Sequence, residues 1–275
     1  MKRQVLEIVV SVFALFMANG LFAEEVKWVA DAEGLKKDWR GKIKYEKVDG
    51  KLAGVVDTRS NVTSVKFIPV EAGKKYTLAG KFKSLGEAPS MIFYGFICYD
   101  KNKREIKTFH ANTIANSATN LAQECRKGAK KIVIKANKKW KKNLYVAFNA
   151  KDDFSDLPNY ECGYGSRIAK ITPNGDNMEL KIIRPLQKGY PVGTKLRAHS
   201  SSYGAYIYAT VLAKKVPKQW TSYRGNVTVA TKPGKMSHKL LRPGTVFVKI
   251  VLLANYNKKA DEKIAFADLT MKEAE

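Results

Sequence analysis

The stretch Lys74 to Ser84, KKYTLAGKFKS, places Tyr76, Leu78, Gly80 and Phe82 at every second position, with polar residues between them. A period of two puts those four residues on one face of an extended chain and predicts a strand with one buried side. TSVKFIPV (63–70) carries Val65, Phe67 and then Val70 in a similar run. MIFYGFICYD (91–100) is apolar on both faces, as a strand in the middle of a sandwich is. KKIVIKA, LYVAFNA, MELKIIR, AYIYATVLA, NVTVA, TVFVKIVLLAN and KIAFADLTM add further strands. Turn signals separate them at Asn174-Gly175, Gly193-Thr194, Lys232-Pro233-Gly234 and Arg242-Pro243-Gly244. Helical spacing is scarce; SATNLAQECRKGAKK (117–131) reads as one short helix or another strand. Regular short strands with turns between them predict an all-β chain, a sandwich or jelly roll.

The first residues follow another logic. Lys2 and Arg3 precede an apolar run from Ile8 to Phe16, with small residues before Ala23, the pattern of a secretory signal peptide over 1–23. The run is short for a membrane span, and no later stretch reaches the roughly 20 apolar residues one needs. Cleavage after Ala23 takes 23 of the 275 residues and leaves 252; losing Lys2, Arg3 and Glu7 moves the net charge from +25 to +24. The expected location is secreted, periplasmic or at the cell surface. No linker rich in Pro, Ser or Gly divides the rest, so 24–275 reads as a single domain. The long middle, about Thr108 to Gln219, reads as an elaborated central insertion in a smaller sandwich.

Charge bounds the partners. Fifty Lys and Arg stand against 25 Asp and Glu, which suits acidic partners such as sulfated or carboxylated polysaccharide and gives no sign of specific nucleic-acid recognition. Three cysteines, Cys98, Cys125 and Cys162, show no metal-binding spacing. Cys98 sits in an apolar run and reads as a buried thiol, and Cys125 with Cys162 is the expected pair.

With the strands placed, one resemblance stands out. VEAGKKYTLAGKF (70–82) resembles a strand pair of jelly-roll carbohydrate-binding modules, the galactose-binding-like β-sandwiches. Trp220, the turn Pro243-Gly244-Thr245, the strand Val246 to Leu253 and Phe266-Ala267-Asp268-Leu269 resemble their later motifs in order. The match covers the first third and the last fifth of the chain. It implies a sandwich whose first and last strands lie together, and a ligand surface on a sheet face or at the loops. It also implies a structural calcium near Asp268, although Ala267 stands where the pattern has a second Asp.

Sugar binding uses aromatic rings that stack on the apolar face of a pyranose, with polar groups fixing its hydroxyls. Trp28, Trp39 and Trp220 read as packing residues. Trp140, flanked by Lys138, Lys139, Lys141 and Lys142 at a turn, is either an exposed ring among cations that hold an anionic sugar or a ring folded back onto the core. Tyr206 and Tyr208 fall on one side of a strand, after Arg197 and His199, and make either a stacking platform or a core layer. Asp152, Asp153 and Asp156 crowd into KDDFSDLPN without the spacing of an EF-hand loop. They could help hold calcium, bond ligand hydroxyls, or cap a turn.

Catalytic motifs are missing: there is no G-x-S-x-G or H-E-x-x-H, and His110, His199 and His238 are isolated. The expectation is a secreted, non-catalytic jelly-roll protein that binds polysaccharide, an anionic one on the strength of the charge. Its ligand residues would be Trp140, Lys139, Lys141, Arg197, Tyr206 and Tyr208; Asp268, Asp152, Asp153 and Asp156 are the metal candidates. The alternatives are a surface or adhesion protein making protein contacts, and a small polysaccharide lyase or glycosidase.

Overall fold

A computed structural model describes residues 26–30, 32–202, 204–233, 237–257 and 260–274. The expected signal peptide lies outside the described residues. Among them, no helix is long and apolar enough to cross a membrane.

The chain forms an all-β sandwich of the jelly-roll kind expected, with an elaborated insertion. Its first sheet runs in the order β17 (Leu240–Leu241), β16 (Thr221–Val229), β7 (Lys75–Ser84), β19 (Ile264–Ala274), β4 (Lys51–Val56) and β3 (Lys44–Val48), and β1 (Val26–Ala30) pairs with β19. The second runs β15 (Ile207–Lys215), β8 (Met91–Tyr99), β18 (Phe247–Ala254), β5 (Ser60–Ser64) and β2 (Trp39–Arg40), with β6 (Ile68–Pro69) beside β18. A short helix, α1 (Ala32–Lys37), links β1 to β2. The first and last strands lie together: Ala30 faces Leu269 and Val29 faces Thr270 across an antiparallel pair.

The alternation decides what enters the core. Tyr76, Leu78 and Phe82 of β7 meet Ile92, Tyr94 and Phe96 of β8 and Val248, Ile250 and Leu252 of β18 in one buried cluster. Trp28 and Trp39 join it edge to face at 5.9 Å, as packing residues. The turn before β7 is tied back by the Glu71 amide, which donates to the Tyr76 hydroxyl at 2.9 Å. Trp220 is half-buried, against Ala53, Val55, Ala265 and Ala267 on the far side of the first sheet.

One strand expectation breaks. Thr63 to Val70 is not continuous: β5 stops at Ser64 and β6 is two residues long. The Val65 amide donates to the Asp38 carbonyl instead of a ladder partner. The even-numbered residues Val62, Ser64, Ile68 and Val70 point inward on both sides of the bend, and Phe67 points outward.

The insertion has a core of its own. After β8 and the one-turn helix α2 (Thr108–Ala111), two three-stranded sheets face each other. One is β10 (Lys131–Lys135), β13 (Asn177–Ile182) and β12 (Ile168–Asn174). The other is β11 (Tyr145–Phe148), β14 (Lys195–His199) and β9 (Thr119–Asn120). Ile132, Ile134, Leu180 and Ile182 pack on Val146, Phe148, Leu196 and Ala198. The inserted body is therefore shorter than expected: β15 and β16, within the expected range or bordering it, belong to the main sheets. Ser117 to Lys131 holds only the two-residue β9 before β10, with loops between, and not a helix.

All three cysteines are free and buried, which corrects the expected Cys125–Cys162 bridge. Cys125 lies in the insertion core with Val146 and Phe148, and Cys162 lies with Tyr145 and Ala147. Those are alternate residues of β11, so the two thiols sit on opposite faces of one sheet.

Candidate functional site

The outer face of the second sheet breaks the usual inside-apolar, outside-polar pattern. In β8 the residues facing the core are Ile92, Tyr94, Phe96 and Cys98; the outward ones are Phe93, Gly95, Ile97 and Tyr99. In β18 the outward residues are Phe247, Lys249, Val251 and Leu253. Ile97, Val251 and Leu253 form an aliphatic floor, and Phe93, Tyr99, Tyr206, Tyr208 and Tyr256 pack on it half-buried. From Phe93 to Tyr99 is six residues of strand, about 20 Å at a rise of about 3.3 Å.

The rings fall into two groups. At one end Phe93 lies 5.0 Å from Tyr208 and 5.7 Å from Tyr256, and Tyr206 meets Tyr208 edge-on at 6.2 Å. At the other, Phe67 lies 4.9 Å from Tyr99 and 6.2 Å from Phe247. Cations sit over both: the Arg59 guanidinium is 4.2 Å from the Tyr256 centroid, and the Lys249 ammonium is 4.2 Å and that of Lys103 5.2 Å from the Phe67 centroid. Burial, with the Arg40 charge nearby, holds the Lys249 amine below the ordinary lysine range. Burial first, and Glu105 second, pushes the Tyr99 hydroxyl up to about 12; burial, then Tyr206, does the same for Tyr208. These phenols keep their protons at neutral pH and can donate hydrogen bonds. The Tyr256 hydroxyl already donates to the Asn61 side-chain oxygen at 2.5 Å.

Two features hold Tyr206 and Tyr208 on this face. A Cβ at Gly95 would stand 2.0 Å from the Ile207 carbonyl oxygen and 2.8 Å from the Tyr208 Cα. Only glycine lets the β15 backbone press so closely on β8. The second is Arg242, fully buried beside the Pro243-Gly244-Thr245 turn. Its guanidinium donates to the Ile106 carbonyl, to the Thr108 hydroxyl at 3.0 Å and to the Ala205 carbonyl at 2.7 Å. The loop immediately before Tyr206 is thereby fixed to the root of the insertion. His238 accepts the Tyr208 amide at 3.1 Å.

The other ligand candidates lie elsewhere. Trp140 is 3% exposed in the insertion core, and its indole N–H donates to the Ser117 carbonyl at 2.9 Å. A ring so enclosed cannot stack on a sugar, which corrects its expected role; Lys139 and Lys141 remain exposed beside it with no ring to support. Arg197 is 5% exposed and structural: it pairs with Asp156 at 2.6 Å and donates to the Lys151 carbonyl at 3.0 Å and to His199 at 3.1 Å.

The aspartates of KDDFSDLPN divide among separate partners. Asp156 goes to Arg197, Asp152 to Lys195, and Asp153 accepts the Ser155 amide. Asp268 is paired with Lys51 and, at 3.1 Å, with Lys81. Among the described residues no group of three His, Cys, Asp or Glu could hold a metal ion. The donors expected to share calcium each face a cation or an amide, so the residues do not fit the metal expected for them. The turn-capping role is the one their contacts support.

Phe93, Tyr99, Tyr256, Phe67, Phe247, Arg59 and Lys249 were not singled out from the sequence. A usable signal was there: MIFYGFICY carries rings at both parities of the strand, and the outward parity is aromatic where a solvated face is polar.

No protein-family model matches the chain, and no curated protein does. Among solved structures, the CBM22-1 xylan-binding domain of Paenibacillus barcinonensis Xyn10C overlaps 91% of this chain and 96% of its own at 8% identity, with a TM-score of 0.39. The CBM22-1–GH10 modules of Clostridium thermocellum endo-1,4-beta-D-xylanase 10B, complexed with xylohexaose, overlap 92% of this chain and 29% of theirs at 8% identity and the same TM-score. The carbohydrate recognition domain of Emp47p overlaps 86% of this chain and 89% of its own at 10% identity and a TM-score of 0.25. At these identities and TM-scores the likeness gives no residue of this chain a role.

Proposed function

We propose that this chain is an exported, non-catalytic protein that binds polysaccharide on the outer face of its second sheet. The observation that carries the reading is the clustering of Phe93, Tyr99, Tyr206, Tyr208 and Tyr256 on the solvent side of a sheet. Half-buried rings on a rigid sheet lose little entropy on binding and offer apolar area to the C–H faces of sugars. Their phenols and Asn61 supply hydrogen bonds to hydroxyls. Arg59, Lys103 and Lys249 add positive charge around the rings, which tilts the preference toward sugars bearing carboxylate or sulfate. A long, open sheet face suits an extended chain.

The test is retention of the mature protein on immobilised neutral and anionic polysaccharides at low and high salt. Retention that survives high salt, and is lost on Tyr208→Ala, supports ring stacking. No retention on any glycan, with capture by a purified surface protein instead, would move the face to protein contacts.

A further inference from the structure

We propose that the outer face of β10–β13–β12, on the inserted body, is a second binding surface, for sulfated polysaccharide. The pairing register carries the argument. Lys131 lies directly opposite Lys181, and Lys181 opposite Lys170, so three lysines form one row across three adjacent strands. All three are exposed. With strands about 4.8 Å apart, the row spans about 10 Å. Like charges directly opposite each other destabilise a sheet. Only Lys131 is relieved, by Glu179 at 3.2 Å. Lys170 and Lys181 have no acidic partner among the described residues.

The first sheet treats its lysines differently. On and beside the outer face of the first sheet, Lys51 and Lys81 share Asp268, Lys83 meets Asp49, Lys263 meets Glu46, and Lys74 lies between Glu71 and Glu273. The inserted body, residues 112–200, carries 17 Lys and Arg against seven Asp and Glu, +10 of the chain's +25. The Asn143 amide donates to the Ile168 carbonyl at 2.9 Å, which brings the segment bearing Lys141 and Lys142 next to the start of β12, two residues from Lys170.

The chemistry of the face selects its ligand. Its outward positions, Lys131, Val133, Lys135, Lys170, Thr172, Asn174, Asn177, Glu179 and Lys181, hold four lysines and one acid, already paired with Lys131, and no aromatic residue, so the face offers no platform for nucleic-acid bases. It is an open sheet face, suited to a polymer and not to a small anion. A sulfate ester presents three terminal oxygens, so one group can bridge two ammoniums on neighbouring strands. The inference rests on the polysaccharide reading only for the nature of the polymer backbone.

The experiment compares the wild-type chain with Lys131→Gln/Lys170→Gln/Lys181→Gln by titration with dextran sulfate and with unsulfated dextran. A control, Lys36→Gln/Lys37→Gln/Lys101→Gln, removes the same charge from other exposed sites. The expected result is dextran sulfate binding that weakens with salt, falls roughly tenfold or more at low salt in the row variant with a flatter salt dependence, and changes little in the control. The difference in dextran sulfate affinity between the wild type and the row variant should be the same when both carry Tyr208→Ala, so the two surfaces fail or succeed separately. Equal losses in both triple variants would reduce the effect to net charge and overturn the row. Row-dependent binding of duplex DNA as tight as that of dextran sulfate would overturn the choice of polysaccharide, and binding of polygalacturonate in preference to dextran sulfate would overturn the choice of sulfate.

Discussion

Lowering the pH from 7 to 5 should weaken the fold through two buried imidazoles at the root of the insertion. His199 is fully buried. Its Nε2 accepts from the Arg197 Nε–H at 3.1 Å, so its proton sits on Nδ1 and is donated to the Phe109 carbonyl at 2.7 Å. Arg197 is itself locked by Asp156 and the Lys151 carbonyl. A second proton on His199 would face the guanidinium N–H directly. Burial, with the Arg197 charge beside it, lowers the His199 pKa to about 4, although the Phe109 carbonyl and Asp156 act the other way. Burial, then Lys107 and Arg242, lowers His110 to about 4 as well.

Both pKa values are depressed below the unfolded value near 6.5, so the unfolded chain takes up protons first. Stability is full above about pH 6.5 and is lost as pH falls toward 4. At pH 5 the gap between 6.5 and 5 is about 1.5 units, or roughly 2 kcal/mol for His199, and somewhat less for the slightly exposed His110. The lowered carboxylates, such as Asp57 and Asp268, act below this window. Urea unfolding at pH 7 and pH 5 should therefore show a loss of roughly 3 kcal/mol. His199→Gln, whose amide can accept from Arg197 and donate to Phe109, should remain folded at pH 7 and lose about half of that dependence. Equal stability of the wild type at the two pH values, or an undiminished pH effect in His199→Gln, would refute the reasoning.

Other consequences follow from packing. Trp140→Ala should cost about 3–5 kcal/mol, as a buried ring, while the molecules that still fold retain glycan as the wild type does; urea curves and retention measure the two separately. At Gly244, φ is 78° and a Cβ would stand 2.5 Å from the Pro158 ring, where the insertion loop rests on the main sandwich. Gly244→Ala should cost about 1–3 kcal/mol and speed proteolysis of the loop around Pro158. Burial raises the Cys162 and Cys125 thiols above their ordinary range, so a thiol reagent should titrate neither in the native state and both in denaturant; fast native labelling would contradict their burial.

Strands with one buried parity are legible because period-two patterning is local: β7 and β13 stand where their alternation places them, and β18 and β19, buried on both faces, are legible as apolar runs. The N-terminal strands β1 to β4 are not legible in the sequence, being short and interrupted by Lys. The limits of the insertion were misjudged because β15 and β16 resemble insertion strands in composition and differ only in their partners, which lie more than 100 residues away in β7 and β8. Trp140 shows the limit of local charge as a guide. Four flanking lysines suggested exposure, but the chain turns at Asn137 and the indole finds the Ser117 carbonyl, a contact no spacing announces. Arg197 and Asp156 looked like ligand groups for the same reason; their role follows from pairing across 41 residues. The aromatic face was half legible. Tyr206 and Tyr208 were placed on one side of a strand, but Phe93, Tyr99 and Tyr256 join them only once β8 and β18 lie side by side.

The most direct test of the central claim is calorimetric titration of wild type and Tyr208→Ala/Tyr256→Ala with the polysaccharide best retained by the wild type, at high salt. Stacking worth about 0.5–1.5 kcal/mol per ring predicts a loss of roughly tenfold to a hundredfold in affinity in a variant that still unfolds cooperatively, at a lowered melting temperature because both rings are half-buried. Unchanged affinity in a folded double variant would contradict binding on this face.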